Sequence, residues 1–288
     1  MTESFQDLHR VARELRFRTV RTSHLSGTPH LGSCLSCLDI LVYLYWRVLK
    51  VDPADPRDAA RDRFILSKGH AAPVLFQVLA ERGFFCLEDL EDYGKDGSVF
   101  GEHPPAPKYL PGIEAATGSL GHGLPMGLGM ALAARIRGAR YRTYVVLSDG
   151  ECNEGSVWEA ALMSAAQKVS SLTVFVDYNK WQATGRSNEV LGLAPLAAKW
   201  AAFGWYVHEI DGHDFAAIEA AVASVDELGR PKVIIANTVK GKGVSFMEDD
   251  NNWHYRIPSA DEVRKAAAEL QIAAESIRLD GLAPRTHE

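Results

Sequence analysis

The sequence predicts an α/β fold: a parallel sheet with helices on both faces. Two observations carry this. Apolar runs of strand length alternate with stretches of helical period, and the runs (TYVVL, LTVFV, VIIA) are apolar throughout rather than at alternate positions. Strands buried on both faces read that way, as in parallel sheets covered by helices. Strand–helix alternation calls for right-handed crossovers. The expected strands are 63–67, 142–148, 172–178, 205–210 and 232–238. The expected helices are 8–21, 34–49, 71–82, 124–136, 155–168, 195–203 and 214–228. The turn-rich stretch 93–124, with Pro104, Pro105, Pro107 and Pro111, is too long for a plain connection and reads as a functional loop. The chain reads as one domain, with its core at about 5–260 and a helical tail over 261–288.

Composition narrows the class. At 47% hydrophobic and 24% charged, the 288 residues match an ordinary soluble globular chain, which excludes disorder, collagen-like repeats and a disulfide scaffold. The 31 basic against 37 acidic residues leave a net charge of −6, the wrong balance for a nucleic-acid binder. The N-terminus MTESFQDLHR has no apolar core, so no signal peptide is expected. The most apolar run, LDILVYLYWRVL at 38–49, is too short to span a bilayer and carries Asp39 and Arg47. It reads as a buried helix, with no membrane partner. Cys34 and Cys37 form a CxxC, but it opens a helical pattern and no second CxxC completes a zinc site. They read as buried thiols, consistent with a reducing cytoplasm.

Two polar clusters follow strands: Ser148-Asp149-Gly150-Glu151 and Asp177-Tyr178-Asn179-Lys180. Ligands of open α/β sheets sit at the carboxyl ends of strands. If these two strands are neighbours, Asp149 and Asn179 converge, and a carboxylate with a carboxamide oxygen suits Mg²⁺ or Ca²⁺. Gly150 lets the backbone approach a diphosphate closely, and a nearby helix N-terminus favours the anion. Five histidines stand in Gly- or Pro-rich contexts: His30, His70, His103, His122 and His254. Imidazoles there can bind phosphate, bond sugar hydroxyls and move protons near neutrality. Lys240-Gly-Lys242-Gly is not a Walker A loop and reads equally as a basic loop over a diphosphate or as a turn.

These segments resemble a known family. SDGECNEGSVWEA followed by VDYNK is similar to the thiamine diphosphate fingerprint, GDG and then NN, with Asp149 and Asn179 thirty positions apart. SGTPHLGS, RFILSKGHA, GEHPP, TGSLGHG and VKGKGVSFMEDDNNWH resemble transketolase motifs, with Leu31 standing where Pro is usual and His122 where Gln is usual. The resemblance implies a thiamine diphosphate-binding (PP-type) fold. It implies that Asp149, Asn179 and the main-chain carbonyl of Trp181 bind Mg²⁺ (or Ca²⁺), leaving the Trp181 side chain unconstrained by ligation. By the same resemblance, His70, His254 and Gly150 would contact the diphosphate, and Gly118 and Leu120 the aminopyrimidine. His30, His103 and His254 would surround the donor's reactive oxygens and move protons. Glu154 and Glu159 would sit at a subunit interface, linking cofactor sites; a bland alternative for Glu154 is helix-dipole complementation.

The resemblance covers about 5–260, the diphosphate-binding part of a transketolase. It implies a separate C-terminal subunit carrying the pyrimidine-binding domain, in an α₂β₂ assembly, acting on small-molecule sugars or sugar phosphates. The expected reaction is transfer of a two-carbon ketol unit to an aldehyde. Rival readings are a 1-deoxyxylulose-5-phosphate synthase-like or 2-oxoacid-decarboxylating subunit, and a non-catalytic scaffold. An NAD-type oxidoreductase would need GxGxxG directly after its first strand, and GSLGHGLPMG has neither the spacing nor the place.

Overall fold

Five parallel strands in the order β1-β2-β3-β5-β4 form the centre of the computed structural model, which describes residues 4–273, Ile277 and Leu279. The strands are β1 (Arg63–Leu66), β2 (Thr143–Ser148), β3 (Leu172–Tyr178), β4 (Tyr206–Asp211) and β5 (Lys232–Asn237). β2 and β3 are neighbours, and Ser148 pairs with Asp177 at their carboxyl ends. The strands alternate side chains between two apolar layers. Phe64, Leu66, Tyr144, Val146, Phe175 and Ile234 face one, and Ile65, Val145, Leu147, Val174, Val176 and Ile235 face the other.

Helices α1 (Phe5–Ser26), α2 (Leu31–Tyr43), α3 (Ala72–Glu81) and α8 (Phe215–Ala223) cover the first layer. The second is covered by α4 (Gly123–Ile136), α5 (Gly155–Ala166) and α7 (Leu196–Ala202); the single turn α6 (Ser187–Val190) follows the β3 loop. Burial on both faces explains the continuous apolar runs. β4 is the exception: an edge strand, its residues are intermediate or exposed.

Boundaries differ where caps decide them. α1 begins early because Ser4 and Asp7 form a capping box, and it stops at Gly27, which takes a left-handed conformation. The expected helix 34–49 starts at Leu31 and ends in a π-helical turn, Leu44–Val48. The helix expected over 214–228 ends at Ala223. Leu31–Val48 is long and apolar enough to cross a membrane, but 83% of it is buried within the protein, which makes it a core helix. A third apolar cluster joins the outer face of α1 to α9 (Ala260–Glu269) through Phe17, Val20, Met247, Trp253 and Val263. The helical tail expected over 261–288 begins with α9; its part at 274–276, 278 and 280–288 lies outside the described residues.

Candidate functional site

The carboxyl edge of the sheet gathers the chemistry. Asp149 follows β2 and is fully buried. Its Oδ1 accepts from Gly150 N (2.9 Å), and its Oδ2 accepts from Lys180 N (3.0 Å) and Ser187 Oγ (2.7 Å). Asn179, one residue past β3, has both ends of its carboxamide fixed. Its Oδ1 accepts from Trp181 N (3.0 Å), and its Nδ2 donates to Ser36 Oγ (3.2 Å) and Asp177 Oδ2 (3.4 Å). Ser36 Oγ in turn donates to Asp177 Oδ2 (2.6 Å), which holds those two acceptors together. Burial pushes the Asp149 carboxyl up to about 7, and a neighbouring cation would return it to its charged form. Among the described residues no three His, Cys, Asp or Glu side chains gather to hold a metal ion, so an oxygen set of acid, amide and carbonyl is the one to weigh.

Four of the five singled-out histidines converge. The His30 ring lies 5.4 Å from His70, 6.5 Å from His103 and 5.0 Å from His254, centroid to centroid; His70 and His254 are 5.7 Å apart. Each comes from a different place: His30 caps α2 in a left-handed conformation (φ 72°), His70 sits in the turn after β1, His103 in the long loop, and His254 in the turn before α9. His30 N donates to His254 O (2.8 Å), tying two of them through the backbone. Burial, then His103 and Lys240, holds His30 down at about 4. Burial, then Lys240, holds His254 at about 3, and His70 is likewise well below the usual imidazole range. These three rings are neutral at pH 7, able to accept a proton or a hydrogen bond.

Gly118 backs this cluster. Its φ is 130°, and a Cβ there would lie 2.5 Å from His103 Cδ2, so only glycine lets the loop pass. Leu120 is 38% exposed, and His122 is exposed on the same loop, its Nδ1 near the Leu120 carbonyl (3.2 Å), outside the imidazole cluster. Glu154, at the N-cap of α5, makes no side-chain capping bond, and both it and Glu159 are exposed. The Trp181 side chain, expected to be free of any constraint from ligation, is held in another way: its Nε1 donates to Asp249 (2.8 Å) and Arg186 stacks 3.7 Å over its ring. Lys240 resolves as a packed residue, 1% exposed, donating to Asn251 Oδ1 (2.6 Å) and His254 Nδ1 (3.2 Å). With Nδ1 accepting, the neutral His254 ring carries its proton on Nε2.

Three charged groups within the motifs were given no role by the sequence. Lys68 and Asp177 form a fully buried ion pair, and Lys68 Nζ also donates to Ser33 O (2.8 Å). Burial alone would lower Lys68, but the Asp177 carboxylate overrides it and raises the ammonium. Glu151, also fully buried, accepts from Ser67 Oγ, Gly121 N (3.0 Å), Ser148 N (2.8 Å) and Ser148 Oγ (3.2 Å). The only signal in the sequence was position: each stands within three residues of the carboxyl end of an apolar strand.

These features define an α/β protein with an oxygen-donor pair and a neutral imidazole cluster on one sheet edge. Residues 8–278 match the family model described as transketolase, thiamine diphosphate binding domain, and the chain belongs to that family. It is 39% identical over 263 residues to one subunit of the apulose-4-phosphate transketolase of Phocaeicola vulgatus, covering 91% of this chain and 93% of that one. It is 38% identical over 272 residues to the 6-deoxy-6-sulfo-D-fructose transketolase subunit SqwG of Clostridium sp., covering 94% and 98%. Human transketolase is 36% identical over 88% of this chain, but only 40% of its own length is matched. The fold superposes on the crystal structure of Campylobacter jejuni transketolase with a TM-score of 0.88 at 27% identity, covering 94% of this chain and 43% of that one. The chain thus spans nearly the whole of the two subunits and about two fifths of the human and Campylobacter jejuni transketolases.

Proposed function

We propose that the chain is the N-terminal subunit of a heteromeric transketolase dependent on thiamine diphosphate and Mg²⁺. It transfers a two-carbon ketol unit from a ketose or ketose phosphate to an aldehyde. The observation that carries this is the meeting of His30, His70, His103 and His254 at the sheet edge that also holds Asp149 and Asn179. The domain, about 5–260 with a C-terminal tail after it, acts in the cytoplasm.

The residues fit the cofactor. Asp149 and Asn179 are oxygen donors on adjacent strand ends, and with the Trp181 carbonyl they suit a hard divalent cation. His70, His254 and Gly150 hold the diphosphate, with Lys240 adding positive charge beside His254. Gly118 and Leu120 meet the aminopyrimidine. When bound, thiamine diphosphate supplies an electron sink for an acyl-anion equivalent. His30 and His254 face the donor's oxygens: the neutral His30 ring accepts a proton or hydrogen bond from a donor hydroxyl, His254 offers its Nε2–H to an oxygen, and His103, on the exposed loop, closes the same space.

The relatives named as subunits support a separate partner carrying the pyrimidine-binding domain. The exposed Glu154 at the N-cap of α5 and Glu159 within it suit contact with it in an α₂β₂ assembly. Reconstitution tests the proposal. The isolated chain should show no ketol transfer, and addition of the partner should restore it; robust turnover by the chain alone sinks the reading. In calorimetry of the reconstituted pair, Asp149→Ala should weaken thiamine diphosphate binding with Mg²⁺ at least about tenfold, since even outer-shell changes cost that much. Equal heats for the two proteins would indicate a scaffold instead.

A further inference from the structure

Gln182 lies in the loop between β3 and α6, and none of the roles above involves its side chain. Its loop is held firmly. Trp181 Nε1 and both terminal nitrogens of Arg186 donate to the Asp249 carboxylate, at 2.8, 2.6 and 2.6 Å. Gln182 N donates to Gly185 O at 2.9 Å, closing the turn. This carries the Gln182 carboxamide over Gly150, beside Asp149: a Cβ built on Gly150 would lie 3.2 Å from Gln182 Cγ and 3.7 Å from its Oε1. The Nε2 of that carboxamide is buried and has no hydrogen-bond partner among the described residues.

A buried amide N–H is normally paired, so an unpaired one at a ligand-facing turn marks a contact the protein supplies to something else. The group is a neutral donor, and what it adjoins is the Asp149–Gly150 turn. Gly150 has no side chain of its own to hold a ligand away from the backbone, and Gln182 is the side chain beside it. The matching chemistry is an anionic oxygen. We propose that Gln182 Nε2 donates a hydrogen bond to a diphosphate oxygen of the cofactor, making Gln182 a binding residue for the diphosphate end. This rests on the proposed function, because the ligand is the one proposed there.

The test is calorimetry on the full 288-residue chain with its partner, in excess Mg²⁺. Thiamine diphosphate, inorganic diphosphate and unphosphorylated thiamine are titrated separately. Gln182→Leu removes the donor and should weaken both diphosphate ligands about 5- to 10-fold, the worth of one hydrogen bond. Thiamine binding should be unchanged. Gln182→Glu keeps the shape and the acceptor oxygen but replaces the donor with negative charge, so it should lose more than the leucine variant. Unchanged diphosphate affinity in both variants overturns the assignment while leaving the proposed function intact. An equal loss for thiamine also overturns it, because the effect would then be a general loosening. Wild-type protein that binds neither diphosphate ligand would remove both readings together.

Discussion

Glu151 shows how one side chain can hold a site without touching a ligand. Its carboxylate joins the end of β1 through Ser67, the Gly118–Gly121 loop through Gly121, and the end of β2 through Ser148. Burial raises its carboxyl above the usual range, and the donated hydrogen bonds work against that rise. Glu151→Gln turns an amide NH₂ toward groups that are themselves donors. It should cost about 2–3 kcal/mol, read by urea denaturation, because buried donors are left unpaired. A loss below about 0.5 kcal/mol would contradict this role. The histidines give a pH dependence of definite sign. Their unfolded value is near 6.5, while His30 and His254 are held at about 4 and 3 and His70 is well below. Between these values the unfolded chain binds more protons, so their contribution is full above about pH 6.5 and is lost as pH falls toward 4. Urea midpoints should drop as pH falls from neutrality toward the folded values, and the double variant His30→Asn, His254→Asn should flatten the slope. An equally steep slope in that variant would argue against the cluster as its source. At this scale the sequence was legible where loop contexts singled out histidines. It was opaque at Lys68, Asp177 and Glu151, because charged residues normally read as solvated and only the packed structure shows otherwise.

Among the elements, α2 carries the most. Its N-terminus presents His30 to the site, its first turns supply Ser33 and Ser36 to the Lys68–Asp177 network, and its body fills the core. The CxxC lies within this helix, both thiols fully buried. Burial pushes Cys34 up to about 12 and raises Cys37 as well; Cys152 is raised for the same reason, whereas Cys86 is exposed. Thiol reactivity follows the thiolate, so these three are inert in the folded protein. Ellman's reagent should titrate one thiol of four quickly, and all four in denaturant. A second fast equivalent in native buffer would revive a redox role for the pair. Element type was readable because each period persisted for several turns or strand pairs. Ends were less so: a capping box at Ser4 and a left-handed Gly27 stretch α1 well beyond its apolar stripe.

For the whole molecule, the parallel sheet was legible because helices cover both faces and every inner strand is apolar along its length. The neighbour order was not: His208 and Glu209 make the β4 run more polar than the VIIA of β5, as suits an edge, but nothing in either run says that β5 inserts between β3 and β4. The connectivity also orders how the chain matures. β2 and β3 pair across a single helix, whereas β1 reaches β2 across α3, the long loop and α4. Closing shorter segments costs less chain entropy, so the β2–α5–β3 and β4–α8–β5 units, each joined across one helix, close at the lowest cost. The imidazole cluster stands at the opposite extreme, since its members run from His30 to His254. On a ribosome, such a cluster cannot exist until the turn before α9 has emerged. A nascent chain halted before that turn carries Asp149, Asn179 and three of the four clustered histidines but lacks His254, so on the proposed reading its grip on the diphosphate is incomplete until the last of the site has emerged.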